Sequence, residues 1–198
     1  AGRYAFAVVL VGYFAIFSDF GLGTLITREV ARRADLAGRY VTNAVLLRWA
    51  LWVIAAPGLA GVLLFYRSRL SLAEDALWAA LLLGLALLPQ TVSSALSALF
   101  QAHERMEVPA GVGLVVNLLK VALGVPVLLA GWGIVGLGLV ALIGSAVNAL
   151  AFLVLTRGLL RLPPWQPDRV FQRELVREAT PLLANAFLAS LFFRLDVL

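Results

Sequence analysis

The chain has 198 residues, of which 62% are hydrophobic, and its mean hydropathy is +0.96. Sixteen residues are Lys or Arg and eleven are Asp or Glu, which gives a net charge of +5, and there is no Cys. This composition excludes a soluble domain, and the lack of Cys excludes disulfides and thiolate metal sites.

Long apolar stretches alternate with short charged segments along the whole chain. Because about 20 apolar residues span the hydrocarbon core of a bilayer, these stretches predict membrane-spanning helices. The stretch from Val108 to Thr156 is too long for one helix, and Gly131-Trp132-Gly133 is the predicted turn within it. We therefore predict an all-α polytopic transmembrane helix bundle with five spans and the start of a sixth, near 4–27, 43–66, 76–101, 108–130, 133–156 and from 178 onward.

The arginines predict the orientation of these spans. If the loops alternate, ten arginines lie in segments 28–40, 101–109 and 157–178, and only three lie on the other side. Positive loops are retained in the cytoplasm, so we expect these three segments to be cytoplasmic. The arginines are dispersed and no aromatic-basic groove accompanies them, so we expect no nucleic-acid partner.

The segment after Thr156 is the one candidate boundary. It contains Pro163, Pro164 and Pro167, followed by Asp168, which we expect to cap a short amphipathic helix that carries Val170, Phe171 and Leu175. We predict a first transmembrane lobe over 1–157, a cytoplasmic amphipathic linker on the membrane surface over 158–177, and the start of a second lobe over 178–198. A plain basic connector is the alternative.

Polar and small residues recur at helical spacing within four spans. Because lipid does not solvate polar groups, such faces point toward other helices or water, and they could line a shared polar cavity. Helix packing through small and hydrogen-bonding residues is the alternative. The faces comprise Gln90, Ser94, Ser97 and Gln101; Gly113, Asn117, Lys120 and Gly124; Gly138, Ala141, Ser145 and Asn148; and Asn185, Ala189, Phe192 and Asp196.

Five charged residues lie inside the predicted spans: Asp19, Arg48, Lys120, Arg194 and Asp196. Each costs at least ~2.5–3.5 kcal/mol at the bilayer centre unless it finds a partner or water. Asp19 and Arg48 lie at a similar depth, roughly 12 Å from the same basic segment, so we predict an ion pair between them. Arg194 and Asp196 are two positions apart on a helix and point in different directions, so their partners are expected elsewhere.

Lys120 is the strongest single candidate for a functional residue. It is the one lysine among sixteen basic residues, and it lies near the middle of its span. A buried ammonium group can lose its proton, whereas a guanidinium group cannot, so Lys120 could bind an anion or change its protonation during a transport cycle. A structural cation that contacts a neighbouring helix or reaches the interface is the alternative.

Residues for catalysis are not evident in the sequence. The G-x-G-x-x-G match at 131–136 joins two apolar stretches and has no acidic residue about twenty positions later. His103 is the single histidine, and Glu104 and Glu107 lie beside Arg105 in a charged loop. We therefore expect no enzyme activity, no metal and no cofactor.

Several segments resemble a known transporter family. They are Phe17-Ser18-Asp19-Phe20-Gly21-Leu22-Gly23 with Thr27-Arg28-Glu29-Val30-Ala31, Phe100-Gln101-Ala102-His103-Glu104-Arg105, Asn117-Leu118-Leu119-Lys120 with Gly131-Trp132-Gly133, and Glu178-Ala179-Thr180-Pro181 with Arg194-Leu195-Asp196. In order and spacing they resemble the polysaccharide (O-antigen type) flippases of the multidrug/oligosaccharidyl-lipid/polysaccharide exporter superfamily. The resemblance covers essentially the whole chain.

The resemblance implies a fragment, about helices 2–7, of a two-lobed transporter of 12–14 helices in the plasma membrane. Such proteins move lipid-linked oligosaccharides from the cytoplasmic to the outer leaflet by alternating access. The implied partners are the lipid-linked oligosaccharide, the bilayer and other polysaccharide-assembly membrane proteins. Lys120, Arg48 and Arg194 would bind a pyrophosphate on undecaprenol or a similar carrier. We add Asn117, Asn148 and Asn185 as substrate-binding candidates, and Asp19 and Asp196 as structural or coupling charges.

Three other functions stay open at this point. A multidrug and toxin extruder of the same superfamily would need inward acidic residues, and here three intramembrane cations stand against two acids. A membrane glycosyltransferase or polymerase would need catalytic carboxylates or a large loop at the membrane surface. A scaffold would use the polar faces for packing alone.

Overall fold

A computed structural model describes residues 21–70, 74–160 and 166–181. Its helices are α1 (Leu22–Arg32), α2 (Ala37–Leu70), α3 (Glu74–Ala102), α4 (Glu107–Leu129), α5 (Gly133–Leu159) and α6 (169–181), and a 3-10 turn at Ala34–Leu36 joins α1 to α2. These described ranges contain helices and no strand, so the predicted all-α fold class is confirmed.

Four helical segments are long and apolar enough to cross a membrane. They are Ala34–Gly58, Leu77–Ala102, Glu107–Leu129 and Gly133–Leu159. They correspond to the second to fifth predicted spans, which confirms the polytopic arrangement. Most of the first predicted span and most of the sixth lie outside the described residues.

The helices continue further into the charged segments than the apolar stretches suggested. The breaks between helices shrink to Arg33–Leu36, where predicted loop 28–40 lay, and to His103–Met106, where predicted loop 101–109 lay. The predicted loop bounds were therefore too wide. Long charged side chains at a helix end can reach water while the backbone remains helical, so charge alone does not mark a helix end.

Left-handed residues close two of the tight turns. Gly131 (φ 78°) follows α4, and the Trp132 N–H donates to the Val127 carbonyl at 3.2 Å. Glu104 (φ 57°) follows α3, and the Arg105 N–H donates to the Phe100 carbonyl at 3.0 Å. These six-residue bonds are typical of Schellman helix ends. The predicted turn at Gly131-Trp132-Gly133 is confirmed, and it makes α4 and α5 an antiparallel hairpin.

Because consecutive spans alternate in direction, the segments 28–40, 101–109, 157–160 and 166–178 lie at one end of the bundle, which we call the basic end. Its core is an apolar cluster to which every helix contributes, for example Leu25, Tyr40, Phe100, Val116 and Phe152. By contrast, most side chains of α4 lie on the outer surface of the bundle. Its outer side chains are at least half exposed, as expected of a surface that lipid covers: Leu114, Val115, Leu118, Val121, Val125, Leu128 and Leu129.

Among the described helices, the most extensive interface is between α3 and α5. Gly138 of α5 lies directly against α3: a Cβ atom at this position would be 3.1 Å from Leu82 Cβ and 3.3 Å from the Ala79 carbonyl oxygen. Small residues of this kind let two membrane helices approach closely without a hydrophobic driving force. Gly138 therefore sets the distance between α3 and α5.

The chain enters α6 through a capped helix start. Asp168 Oδ1 accepts hydrogen bonds from the backbone N–H groups of Val170 (2.9 Å) and Phe171 (3.2 Å), which confirms the predicted cap. Phe171 and Leu175 are buried against the bundle, whereas Val170 is 77% exposed. Positions four apart share a face of a helix, and position 170 is rotated away from it. One helix continues from 169 to 181, across the predicted start of the second lobe at 178.

Asn43 of α2 ties this helix start to the bundle, in an arrangement that we call the Asn43 clasp. The fully buried amide of Asn43 donates to the carbonyls of Gln166 and Arg39, both at 2.8 Å. Its Oδ1 accepts from the Asp168 N–H at 2.8 Å and from Gln172 Nε2 at 3.2 Å. The clasp satisfies every donor and acceptor of one buried amide, so it specifies where α6 begins.

Arg39 strengthens the same attachment. Its guanidinium group forms an ion pair with Asp168 and lies over the ring of Phe171, 4.3 Å from the centroid. The hydrogen bond from Arg39, followed by that from the Phe171 N–H, lowers the pKa of the Asp168 carboxyl group below its usual value. Both side chains are about one-third exposed, so this ion pair stabilises the attachment of α6 less than the buried amide of Asn43 does.

We predict that Gly138→Val destabilises the protein by about 1–3 kcal/mol, because the added methyl groups must enter the backbone of α3. Gly113→Val is the matched control: it makes the same change within α4, where a Cβ atom meets nothing within 4 Å. Apparent melting temperatures of the purified variants in detergent measure the difference. Equal melting temperatures would contradict the assigned α3–α5 contact.

We predict that Asn43→Ala loosens the start of α6, because it leaves buried groups without partners at a cost of about 1–3 kcal/mol. Hydrogen exchange of the 169–181 segment should accelerate about tenfold or more. Gln172→Ala removes a single bond of the clasp and should change exchange much less. Similar exchange in both variants would show that the amide of Asn43 does not hold α6.

Candidate functional site: a polar pocket and two intramembrane cations

A polar pocket of about 400 Å³ lies between α1 and α3, and we call it the α1–α3 pocket. Its walls are Gly23, Thr24 and Thr27 of α1 and Ser94, Ser97, Ala98 and Gln101 of α3. The predicted polar face of α3 accounts for three of these residues, whereas Gln90 is exposed and does not line the pocket. Sequence reasoning missed Thr24 and Thr27 as pocket residues, although their spacing of three places them on one face of a helix.

The described walls of this pocket carry neutral hydrogen-bonding groups. Thr27 Oγ1 donates to the carbonyls of Gly23 (3.1 Å) and Ala98 (3.4 Å), and Gln101 Nε2 donates to Ser97 Oγ at 3.3 Å. Hydroxyl and amide groups of this kind can both donate and accept hydrogen bonds. The pocket is therefore suited to a neutral, hydroxyl-bearing ligand or to water.

Arg48 lies directly behind one wall of this pocket. It is fully buried, and its Nη1 donates to Ser94 Oγ at 2.6 Å and to the Thr91 carbonyl at 3.3 Å. Eleven residues separate it from the start of α2, which places it roughly 16 Å along that helix. Gly23 of α1 lies beside it, since a Cβ atom there would be 3.8 Å from Arg48 Nη2. Arg48 thus bonds to α3 and lies beside α1, the two helices that form the pocket.

Asp19 lies outside the described residues, so its ion pair with Arg48 stays a prediction. The same holds for the roles assigned to Asn185, Arg194 and Asp196.

Two tryptophans that follow Arg48 along α2 form hydrogen bonds to α3. Trp49 Nε1 donates to Thr91 Oγ1 at 3.0 Å and to the Leu88 carbonyl at 3.3 Å. Trp52 Nε1 donates to the Gly84 carbonyl at 3.0 Å. These indoles satisfy carbonyl and hydroxyl groups that lipid could not. Trp49 also positions Thr91, whose carbonyl accepts a hydrogen bond from Arg48. Sequence reasoning missed both of them.

Lys120 lies on the α4–α5 hairpin, away from Arg48. Its hydrocarbon chain crosses Gly144 of α5 so closely that a Cβ atom at Gly144 would be 2.5 Å from Lys120 Cε and 2.8 Å from Cγ. Thirteen residues separate Lys120 from the start of α4, so it lies roughly 20 Å along that helix. Within the described part of the chain, its ammonium group makes neither a hydrogen bond nor an ion pair. The absence of a side chain at Gly144 therefore leaves room for the hydrocarbon chain of Lys120. The described residues do not compensate the charge of its ammonium group.

Two of the predicted asparagines lie near Lys120 on the same hairpin. Asn117 is one turn before Lys120 and exposed, and Asn148 is one turn after Gly144 and half-buried. Because α4 and α5 are antiparallel, both residues lie one turn closer to the basic end than Lys120 does. The described lining of the α1–α3 pocket includes none of these three residues. The structure thus separates the predicted site into Arg48 at the pocket and Lys120 with the asparagines on the hairpin.

The family model described as polysaccharide biosynthesis protein matches residues 1–198. The chain belongs to this family. The predicted resemblance is therefore confirmed, and four helices able to cross a membrane make the chain a multi-pass membrane component of polysaccharide biosynthesis. Neither a curated protein nor a solved structure matches the chain.

We predict that Ser94→Ala destabilises the protein more than Ser97→Ala does. Both residues line the α1–α3 pocket on the same helix, but Ser94 accepts a hydrogen bond from a buried guanidinium group, and its loss costs about 1–3 kcal/mol. Ser97 accepts only from the exposed Gln101 among the described residues. Melting temperatures of the two variants should differ by several degrees, and equal values would contradict a supporting role for Ser94.

Proposed function

We propose that the protein moves a lipid-linked oligosaccharide from the cytoplasmic to the outer leaflet of the plasma membrane by alternating access, and that it is a transporter and not an enzyme. Membership of the polysaccharide biosynthesis family supports a lipid-linked sugar as the substrate class. The observation that carries the proposal is the ammonium group of Lys120, which lies halfway along a membrane-spanning helix without a partner among the described residues.

An anionic headgroup would offset the free-energy cost of placing the Lys120 ammonium group within the bilayer. A cation at the bilayer centre costs at least ~2.5–3.5 kcal/mol, and a phosphate oxygen would provide a charge-assisted hydrogen bond that strengthens in a partly dehydrated site. The pyrophosphate of an undecaprenol-type carrier has this chemistry. The exposed Asn117 and half-buried Asn148, one turn closer to the basic end, supply neutral donors for the same headgroup.

Gly144 sets the position of the ammonium group, because a side chain at this position would displace the hydrocarbon part of Lys120. This contact offers a test that moves the charge without removing it. A purely structural cation would tolerate such a shift if the helices still packed, whereas a substrate-binding cation would lose its geometry.

Arg48 and the α1–α3 pocket have a second role in the proposal. The guanidinium group donates a hydrogen bond to Ser94 in the pocket wall, so it fixes one hydroxyl group of a pocket whose lining suits sugar hydroxyls. The distribution of arginines supports a cytoplasmic location for segments 28–40, 101–109 and 157–178. The bilayer and other polysaccharide-assembly membrane proteins are the remaining proposed partners, and nucleic acid is not among them.

We predict that Lys120→Ala abolishes export of surface polysaccharide and that Lys120→Arg retains part of it, because the charge remains but its geometry changes. Gly144→Ala should also reduce export. The measurement is surface polysaccharide in a host whose own flippase is deleted, at equal membrane abundance of each variant. Val121→Ala, next to Lys120 but on the exposed face of α4, is the matched control and should export normally.

Normal export by Lys120→Ala would remove Lys120 from the site. Failure of the unmodified protein to restore export with a matched substrate would favour the alternatives. Increased drug resistance of the host would then indicate an extruder. Deletion of the gene in its own host separates the others: lost synthesis of the lipid-linked oligosaccharide, rather than its accumulation, would indicate a glycosyltransferase, and shortened surface polysaccharide would indicate a polymerase. A scaffold would tolerate the loss of Lys120.

A further inference from the structure

A second pocket lies between α2, α3 and α5 and has a different character. Its volume is about 390 Å³, and its described walls are apolar side chains with two polar exceptions, Thr42 and Arg157, and the ring of Trp49. We call it the α2–α3–α5 groove. It shares no lining residue with the α1–α3 pocket, so the two are separate sites.

The groove has the length of one bilayer leaflet. On α2 its lining extends from Gly38 to Trp49, eleven residues and thus roughly 16 Å. This is about half of the ~30 Å hydrocarbon core of a bilayer. Gly38 and Arg157 lie at the basic end, and Trp49 lies near the middle of the membrane. Arg157 is exposed and Trp49 is 38% exposed, so the groove reaches the surface at both ends.

Two polar groups face the groove near the basic end without partners in the described part of the chain. Arg157, two residues before the end of α5, makes no hydrogen bond or ion pair there. Thr42 is only 3% exposed, yet its hydroxyl group has no hydrogen bond with any described residue. A buried hydroxyl group without a partner costs free energy, and a ligand that supplies an acceptor at this depth would offset that cost.

We propose that the groove binds one acyl chain of an anionic phospholipid from the leaflet at the basic end. The phosphate contacts Arg157, the ester carbonyl accepts the hydrogen bond of Thr42, and the chain follows the apolar walls to Trp49. Basic pockets between membrane helices are typical sites for anionic headgroups. The chain of a polyprenyl carrier is far longer than a groove of one leaflet. This lipid site does not depend on the proposed transport activity.

Native mass spectrometry of the delipidated protein tests the proposal. The protein is titrated with phosphatidylglycerol and with phosphatidylcholine of the same acyl chains. We expect a tight phosphatidylglycerol adduct that Arg157→Gln weakens about fivefold, the value of one cation at a membrane surface, with little change for phosphatidylcholine. Arg173→Gln removes the same charge from an exposed basic-end position outside the groove, and it should leave binding unchanged.

Two further variants fill the groove at half-buried positions, so that the fold is retained. Val41→Trp fills the groove near the basic end and Val92→Phe fills it on α3, and either should remove the tight phosphatidylglycerol adduct and weaken the binding of phosphatidylcholine. Thr42→Val keeps the shape of the side chain and should weaken the binding of both lipids to the same extent. Equal effects of Arg157→Gln and Arg173→Gln, or a tight adduct that survives both filling variants, would overturn the proposal. Loss of protein dimers instead of lipid adducts would overturn it too, because the occupant would then be a second copy of the chain.

Discussion

The buried guanidinium group of Arg48 constrains how the first three helices meet. A charge that lies roughly 16 Å along a membrane-spanning helix needs partners inside the protein. Ser94 and the Thr91 carbonyl bond to it from α3, Gly23 of α1 leaves room beside it, and the indole of Trp49 fixes Thr91 in turn. The same constraint places Ser94 in a pocket wall, so one cation connects helix packing with a polar pocket.

The α4–α5 hairpin also contains an intramembrane cation, Lys120, but it contacts this side chain through packing alone. Its glycines allow close contact at three levels, with Val127 against Gly136, Leu137 against Gly124, and Lys120 against Gly144. The first two contacts are apolar and need no further partner. The third places a cation at mid-membrane, and the described residues do not neutralise it. Packing therefore explains the position of the Lys120 chain, but not the choice of an ammonium group at its end.

The basic end contains both the attachment of α6 to α2 and the proposed lipid site. The Asn43 clasp holds the start of α6 to α2, and its buried amide has all its bonds satisfied within the protein. The neighbouring residue Thr42 points into the α2–α3–α5 groove, and its hydroxyl group has no partner among the described residues. Adjacent positions on a helix face different directions, so one turn of α2 serves both a structural contact and a proposed lipid site. A lipid in this groove would contact α2, the same helix to which the Asn43 clasp attaches the start of α6.

The sequence by itself determined the all-α class, the second to fifth spans, the Gly131–Gly133 turn, the Asp168 cap and the family. Hydrophobic length, glycine and a capping carboxylate act locally, so each can be read without knowing its neighbours. Helix ends were predicted less well, because charged residues remain helical at the interface. Only the tertiary structure decided that Arg48 and Lys120 lie against different helices, that Asn43 is a buried clasp, and that Thr24 and Thr27 complete a pocket. Helical spacing shows which residues share a face, whereas the partner of that face depends on how distant helices pack.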